Sequence, residues 1–460
     1  MTRPERLVLV AAILGSFVAF LDMSVVNVAL PAIRRSLGGG VAAQQWIVDA
    51  YLLSLSALIL IAGSVSDLFG RKRVFAGGLI GFGLTSVLCA LAPTPTFLIA
   101  ARGLQGVAAA MLVPSSLALI LAAFSGDAQA HAIGVWTAWT GISFLIGPLL
   151  GGALVDAGGS AGSWRWVFGI NVVPIAVTLL VTARLPPDRE PPAGRRVDLG
   201  GAALCAAGLA GLTFALIEQP RGGWSAPWVW IPFAAGGALS VAFVIWERTA
   251  PAPMLDFALF RSRNFAVGNL ATLAIYAGLS AATFLLTLFL QQVAGYSALA
   301  SGLALLPVTL LMFALSPRFA RLAGRHGPRL FMSAGPIAAG AGLWLLGRLG
   351  PHPAYARDLL PGVLVFGLGL SATVAPLTAA VLGGIDQRRS GVASAVNNAV
   401  ARVAGLLAVA AVGARPFGLA MSATAVLLWI GAAISAVGIS NSRPRWVSAS
   451  PGGAGCPPSP

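Results

Sequence analysis

Apolar runs of about 20 residues follow one another along this chain, and their recurrence limits the fold before any motif is considered. A helix rising 1.5 Å per residue crosses roughly 30 Å of hydrocarbon in such a run. In lipid every peptide group must find its partner inside the protein, so only helices or closed barrels remain. Barrel strands require short apolar–polar alternation, whereas runs such as 97–122 are continuous. The expected class is an all-α polytopic membrane protein. Composition agrees, with 57% of the 460 residues hydrophobic and 9% charged, against about 25% charged in soluble domains.

Fourteen spans are read near 7–30, 46–64, 74–92, 97–122, 131–155, 166–183, 198–217, 228–246, 265–290, 300–319, 329–349, 357–381, 391–413 and 416–439. The net charge of +15 suggests nucleic acid until the basic residues are placed. With the N-terminus inside, 20 of the 29 lie in inner segments, seven in outer segments, and Arg102 and Arg402 within helices. That asymmetry is the positive-inside rule. It expects both termini in the cytoplasm of a bacterial inner membrane and no nucleic-acid partner. Cys89, Cys205 and Cys456 form no metal or redox spacing. No cofactor or metal is expected, nor an enzyme, since no His, Cys and carboxylate cluster shares one depth.

RLPPDREPPAGRRVD (184–198) and the segment 247–265 are polar and proline-bearing. They divide the chain into an expected six-helix bundle (1–183), a linker (184–197), a helix pair (198–246), a second linker (247–264) and a second bundle (265–440). The tail 441–460 is rich in Ser, Gly and Pro and expected to be disordered. GSVSDLFGRKRV (63–74) is echoed by ARLAGRHGPRL (320–330) when Gly70 is set on Gly327. Transporters are often built from such paired halves. Trp46, Trp164, Trp166, Trp224, Trp228 and Trp230 fall at outer span ends, where an aromatic belt is expected.

Buried polarity marks the candidate site. Asp22 interrupts the first span, where an aspartate costs about 2.5–3.5 kcal/mol. It is expected about eight residues from the outer end of helix 1, or about 12 Å; Arg102 is expected about five residues from the outer end of helix 4, or about 7.5 Å. An ion pair is therefore allowed, with Gln105 and Gly106 on the face of Arg102. A desolvated acid beside an arginine can hold a proton and release it on a conformational change. The alternative is that Asp22 pins a kink and Arg102 snorkels. In the ninth span Asn269, Thr272, Tyr276, Ser280, Thr283, Thr287 and Gln291 form one stripe at helical period. Such a stripe faces a cavity or neighbouring helices. Asn398 and Arg402 stand four apart in the thirteenth span. The arginine there is a substrate contact, an ion-pair member or a gate.

LDMSVVNVALP (21–31), WIVDAYLL (46–53), GSVSDLFGRKRV (63–74), RGLQGVAAA (102–110), the fifth helix GVWTAWTGISFLIGPLLGG (134–152) and WRWVFGINVVP (164–174) resemble the fourteen-helix drug:proton antiporters of the major facilitator superfamily. The resemblance implies the major facilitator fold, two six-helix bundles plus an inserted pair. It implies Asp22 as proton-coupling carboxylate with Arg102 as its partner. Gly63, Asp67, Gly70, Arg71 and Arg73 correspond to a loop that latches the halves, and Gly147, Pro148, Gly151 and Gly152 to the antiporter motif. Ser143 stands where that motif has its middle glycine. The substrate cavity is expected to include Gln105, Asn269, Thr272, Tyr276, Ser280, Thr283, Asn398 and Arg402. The expected partners are protons, lipid and a small amphipathic substrate, neutral or weakly cationic because the tenth span has no acid. The protein is expected to act as a monomer exporting a drug, antibiotic or metabolite. The alternative is a proton-coupled importer or facilitator with the same fold.

Overall fold

The computed structural model describes residues 1–159, 162–185, 197–251, 253–383, 385, 390–412 and 415–441, with side chains at all of these except 63, 64, 67, 126, 127, 130, 138, 144, 145, 390 and 391. Most of the first linker and nearly all of the tail lie outside the described residues. The helices are α1 (Arg3–Leu37), α2 (Val41–Phe69), α3 (Arg71–Ala90), α4 (Pro95–Ala123), α5 (Gly126–Ala157), α6 (Trp166–Gly169), α7 (Val172–Ala183), α8 (Leu199–Gly222), α9 (Pro227–Thr249), α10 (Arg263–Gln292), α11 (Ala298–His326), α12 (Pro328–Leu346), α13 (Leu360–Leu382), α14 (Ser390–Val412) and α15 (Phe417–Gly438). Among the described residues, fourteen spans are long and apolar enough to cross a membrane, with α6 and α7 forming one broken span. The chain is a multi-pass membrane protein.

Local chemistry sets the helix ends. Thr2 and Glu5 cap α1 reciprocally at 2.7 and 3.4 Å. Thr94 Oγ1 accepts from Phe97 N at 3.2 Å, with Pro95 opening α4. Gly70 (φ 94°, ψ 133°) and Gly327 (φ 89°, ψ 152°) make the same left-handed corner between α2 and α3 and between α11 and α12. The echo read between the two segments is thus repeated in the backbone. Helix α1 runs seven residues beyond the expected Leu30. Pro31, Ala32 and Ile33 are buried against neighbours, and Arg34 and Arg35 favour the C-terminal end of the helix dipole.

Helices α1–α7 pack among themselves, chiefly α2 and α3 on α4 and α1 on α4, α5 and α7. Helices α10–α15 form a second group, with α12 on α13 and α15, α11 on α13, and α10 on α14 and α15. The groups meet along α2–α14, α5–α11 and α1–α10. Helix α8 leans on α2 and α14, while α9 packs on α8 and lies at the rim, its apolar window only 11% buried.

The described hydrogen bonds joining the two groups gather toward the face opposite the N-terminus. There Asp156 accepts from Ala298 N at 3.2 Å and Leu299 N at 2.8 Å. Gln291 Nε2 reaches Val28 O at 2.9 Å, Arg34 meets Gln292 Oε1 at 2.9 Å, and Gln45 Nε2 meets Val409 O at 2.6 Å. In the other half of α5, a Cβ on Gly134 or Gly141 would meet nothing within 4 Å. One expectation is corrected. Trp164 is fully buried, because the 3₁₀ turn Ser163–Arg165 folds it edge-on against Phe168 at 6.1 Å. Trp166, Trp224, Trp228 and Trp230 are exposed, as a belt requires.

Candidate functional site

Asp22 is fully buried on α1, and Arg102 on α4 is 2% exposed. Arg102 Nη1 donates to Asp22 Oδ2 at 2.5 Å. The expected matching of depths from the helix ends does not hold, since α1 continues to Leu37 and α4 begins at Pro95. The pair forms because α1 extends past the start of α4. Gln105 Nε2 donates to Asp22 Oδ1 at 3.2 Å. Two further groups, missed in the sequence, complete the site. Asn171 Nδ2 donates to Asp22 Oδ1 at 2.8 Å, and Ser86 Oγ on α3 accepts from Gln105 Nε2 at 2.9 Å and from Asn171 Nδ2 at 3.3 Å. Asn171 sits at the break between α6 and α7, in the apolar run VFGINVVP. A lone amide three residues before Pro174 was the signal that could have found it.

Arg102 is held from every side. Its Nη1 also reaches Gln105 Oε1 at 2.6 Å, its Nε donates to Ile47 O at 3.1 Å, and its guanidinium lies 4.2 Å from the Tyr51 ring centroid. Gly106 permits this. A Cβ there would overlap Tyr51 O and stand 3.0 Å from Ser54 Cβ, so α4 could not lie this close to α2. The ionised pair is thus compensated by charge and by three donors on one carboxylate. Asp49 on α2 is equally buried, yet neither of its oxygens has a hydrogen-bond partner among the described residues.

The antiporter-motif glycines serve two partners. A Cβ on Gly147 would overlap Ser24 Oγ of α1, and one on Gly151 would lie 2.6 Å from Val25 Cγ2. One on Gly152 would lie 2.5 Å from Leu299 Cα of α11, and one on Gly302 of α11 would lie 2.7 Å from Pro148 O of α5. Helix α5 is therefore pressed between α1 and α11. At the expected latch, Gly70 makes its corner, Arg71 opens α3 and its Nη1 donates to Ala118 O at 3.4 Å, and Arg73 lies in the first turn of α3. The side chains of Gly63 and Asp67 lie outside the described residues.

The stripe on α10 is tied at both ends. Asn397 Nδ2 of α14 donates to Asn269 Oδ1 at 3.2 Å and to Thr272 Oγ1 at 2.9 Å, while Gln291 bonds α1 and, at 3.1 Å, Ser301 Oγ of α11. Tyr276, Ser280 and Thr283 between them are half-buried. Asn397 was missed beside Asn398, which is exposed. Arg402 Nη1 reaches across to Met23 Sδ of α1 at 3.2 Å, with its guanidinium 5.3 Å from the Phe20 ring. None of α10–α15 contains Asp or Glu.

A family model described as Major Facilitator Superfamily matches residues 12–409. The chain is 35% identical to the multidrug resistance protein Stp of Mycobacterium tuberculosis, over 90% of this chain and 76% of that one. It is likewise 35% identical to the cephamycin export protein CmcT of Amycolatopsis lactamdurans, over 87% of this chain and 83% of that one. Among solved structures, an auto-inhibited POT family peptide transporter superposes with TM-score 0.67 over 94% of this chain and 96% of that one, at 16% identity. That likeness concerns the fold alone. The protein is a transporter of small molecules and not an enzyme. The chain belongs to the major facilitator superfamily, in its fourteen-helix drug-antiporter family.

Proposed function

We propose that this protein is a proton-coupled antiporter that exports a small amphipathic drug, antibiotic or metabolite across the bacterial inner membrane. The observation that carries the reading is the buried Asp22–Arg102 pair with Gln105 and Asn171 on the same carboxylate. Export is supported by relatives named for multidrug resistance and cephamycin export. In this reading two six-helix bundles, residues 1–183 and 265–440, rock about a central cavity, with 198–246 as an inserted pair. Both termini lie in the cytoplasm, and the protein works as a monomer in lipid.

The cycle follows from that arrangement. The contacts around Asp156, Gln291 and Gly152 close the outer face, so this conformation faces inward. Substrate enters from the cytoplasm against the half-buried Tyr276, Ser280 and Thr283, with Asn398 and Arg402 opposite. Rocking breaks the α5–α11 seam and opens Asp22 to the outer medium. A proton taken there removes the charge that Arg102 holds, and substrate leaves. Return to the inward state releases the proton. The membrane potential adds about 2.3 kcal/mol per charge per 100 mV. Gly63, Asp67, Gly70, Arg71 and Arg73 latch the outward state.

The test is uptake of a fluorescent amphipathic dye, and of a cephamycin, into proteoliposomes that hold the protein inside-out under an imposed pH gradient. Wild type is expected to accumulate both against their gradients, and an uncoupler to stop it. Full uncoupler-sensitive transport by Asp22→Asn would overturn the reading.

A further inference from the structure

Resting on the reading of Asp22 as proton carrier, we infer that Asn171 is the group that receives the carboxyl hydrogen when Asp22 is protonated. It is a positioning residue that serves both protonation states from one place.

An ionised Asp22 needs donors and has three. A protonated Asp22 needs an acceptor, and a buried O–H left without one is costly. Arg102 offers none, because a guanidinium only donates. Gln105 Oε1 already accepts from Arg102 Nη1 at 2.6 Å and lies 3.6 Å from Cys89 Sγ. Ser86 Oγ already receives Gln105 Nε2 and Asn171 Nδ2. Ile47 O is taken by Arg102 Nε. Of the groups hydrogen-bonded to Asp22, the one with an open acceptor is the amide of Asn171, whose Oδ1 is buried and has no hydrogen-bond partner among the described residues. That oxygen belongs to the same amide whose nitrogen stands 2.8 Å from Asp22 Oδ1. Half a turn about the Asn171 Cβ–Cγ bond exchanges the two atoms without moving the backbone, so an N–H donated to the carboxylate becomes a C=O accepting from the acid. A hydronium ion in the outward-open cavity gives up the proton and leaves as water, as one O–H bond forms on Asp22.

The backbone suits this role. The amide projects from the break between α6 and α7, where Ile170 N bonds Trp166 O at 2.9 Å and Ile175 N bonds Asn171 O at 3.1 Å. Both flanking turns are therefore satisfied, and the residue is fixed at a helix interruption inside the membrane. The groups facing Asp22 are Arg102 and Gln105 from α4, Ser86 and Cys89 from α3 and Tyr51 from α2. From α14, Arg402 stops at Met23.

The test is pH-difference infrared spectroscopy of the purified full chain in lipid, paired with the pH profile of dye efflux. The carboxylic C=O band that Asp22→Asn abolishes is assigned to Asp22. In Asn171→Leu this band is expected to move to higher wavenumber. The pH midpoint of efflux is expected to rise by about one unit, because the charged form loses a stronger bond than the neutral one. Asn171→Ser, which keeps a donor and an acceptor, is expected to return both toward wild type. An unmoved band and midpoint in Asn171→Leu, with the Asp22 band present, would overturn the role of Asn171 alone. A titrating band that survives Asp22→Asn unchanged, with none assignable to Asp22, would instead overturn the proton-carrier reading beneath it.

Discussion

Asp22 and Arg402 place charge inside the membrane spans of the two helix groups, and they are treated differently. Asp22 sits inside the first group with an arginine and two amides on its carboxylate. Arg402 sits in the second group, where α10–α15 supply no acid, and leans on a thioether and an aromatic ring of α1. Such contacts are weaker than an ion pair. The first charge is neutralised within its own group. The second reaches across the interface between groups, so the rocking proposed above would change its surroundings most. A compensated charge suits a group that must wait for a proton. An uncompensated guanidinium suits one that meets a ligand.

Variants at the two sites test that contrast. The largest expected effect is at Asp22. Asp22→Asn keeps the shape of the side chain and should reduce pH-driven dye efflux to the level of protein-free vesicles while the protein still reaches the membrane. Next is stability. Arg102→Met leaves a buried carboxylate alone and should lower unfolding free energy by about 3–5 kcal/mol, whereas Arg402→Met breaks no ion pair and should cost under about 1 kcal/mol. Equal losses in denaturant titrations would break the comparison. Third, Arg402→Gln should weaken binding of substrates rich in oxygen acceptors by about tenfold or more, since a hydrogen bond to a charged group is worth about 1.5–3 kcal/mol. Proton uptake should continue, as titration calorimetry and a pH dye would report. Fourth is Asn397. Asn397→Ala removes the bonds to Asn269 and Thr272 and should cost about 1.2 kcal/mol, at the usual value of about 0.6 kcal/mol for each interhelical bond in lipid.

Asp22 and Arg102 were legible as a pair because the membrane makes any ionisable residue conspicuous. The distances from helix ends used to match them were not, since burial of Pro31 to Ile33 carried α1 onward. Asn171 and Ser86 escaped because uncharged polar residues cost little in a span and leave a faint trace in composition. On α14 helical phase linked Asn398 to Arg402, but the bond to α10 belongs to its neighbour Asn397. Only the rotation of α14 against α10 distinguishes the two. The stripe on α10 was read at its true period, yet its ends bond other helices and its middle alone is half-open.

Sequence alone determined the helical class, the span count and the charges of Asp22, Arg102 and Arg402 within spans, because each is a one-dimensional consequence of removing water from the backbone and side chains. Tertiary structure decided which donors converge on Asp22, which glycines face α1 or α11, and which face of the molecule is closed. Those depend on the rotation and offset of packed helices, and no periodicity along a single helix encodes its phase relative to another.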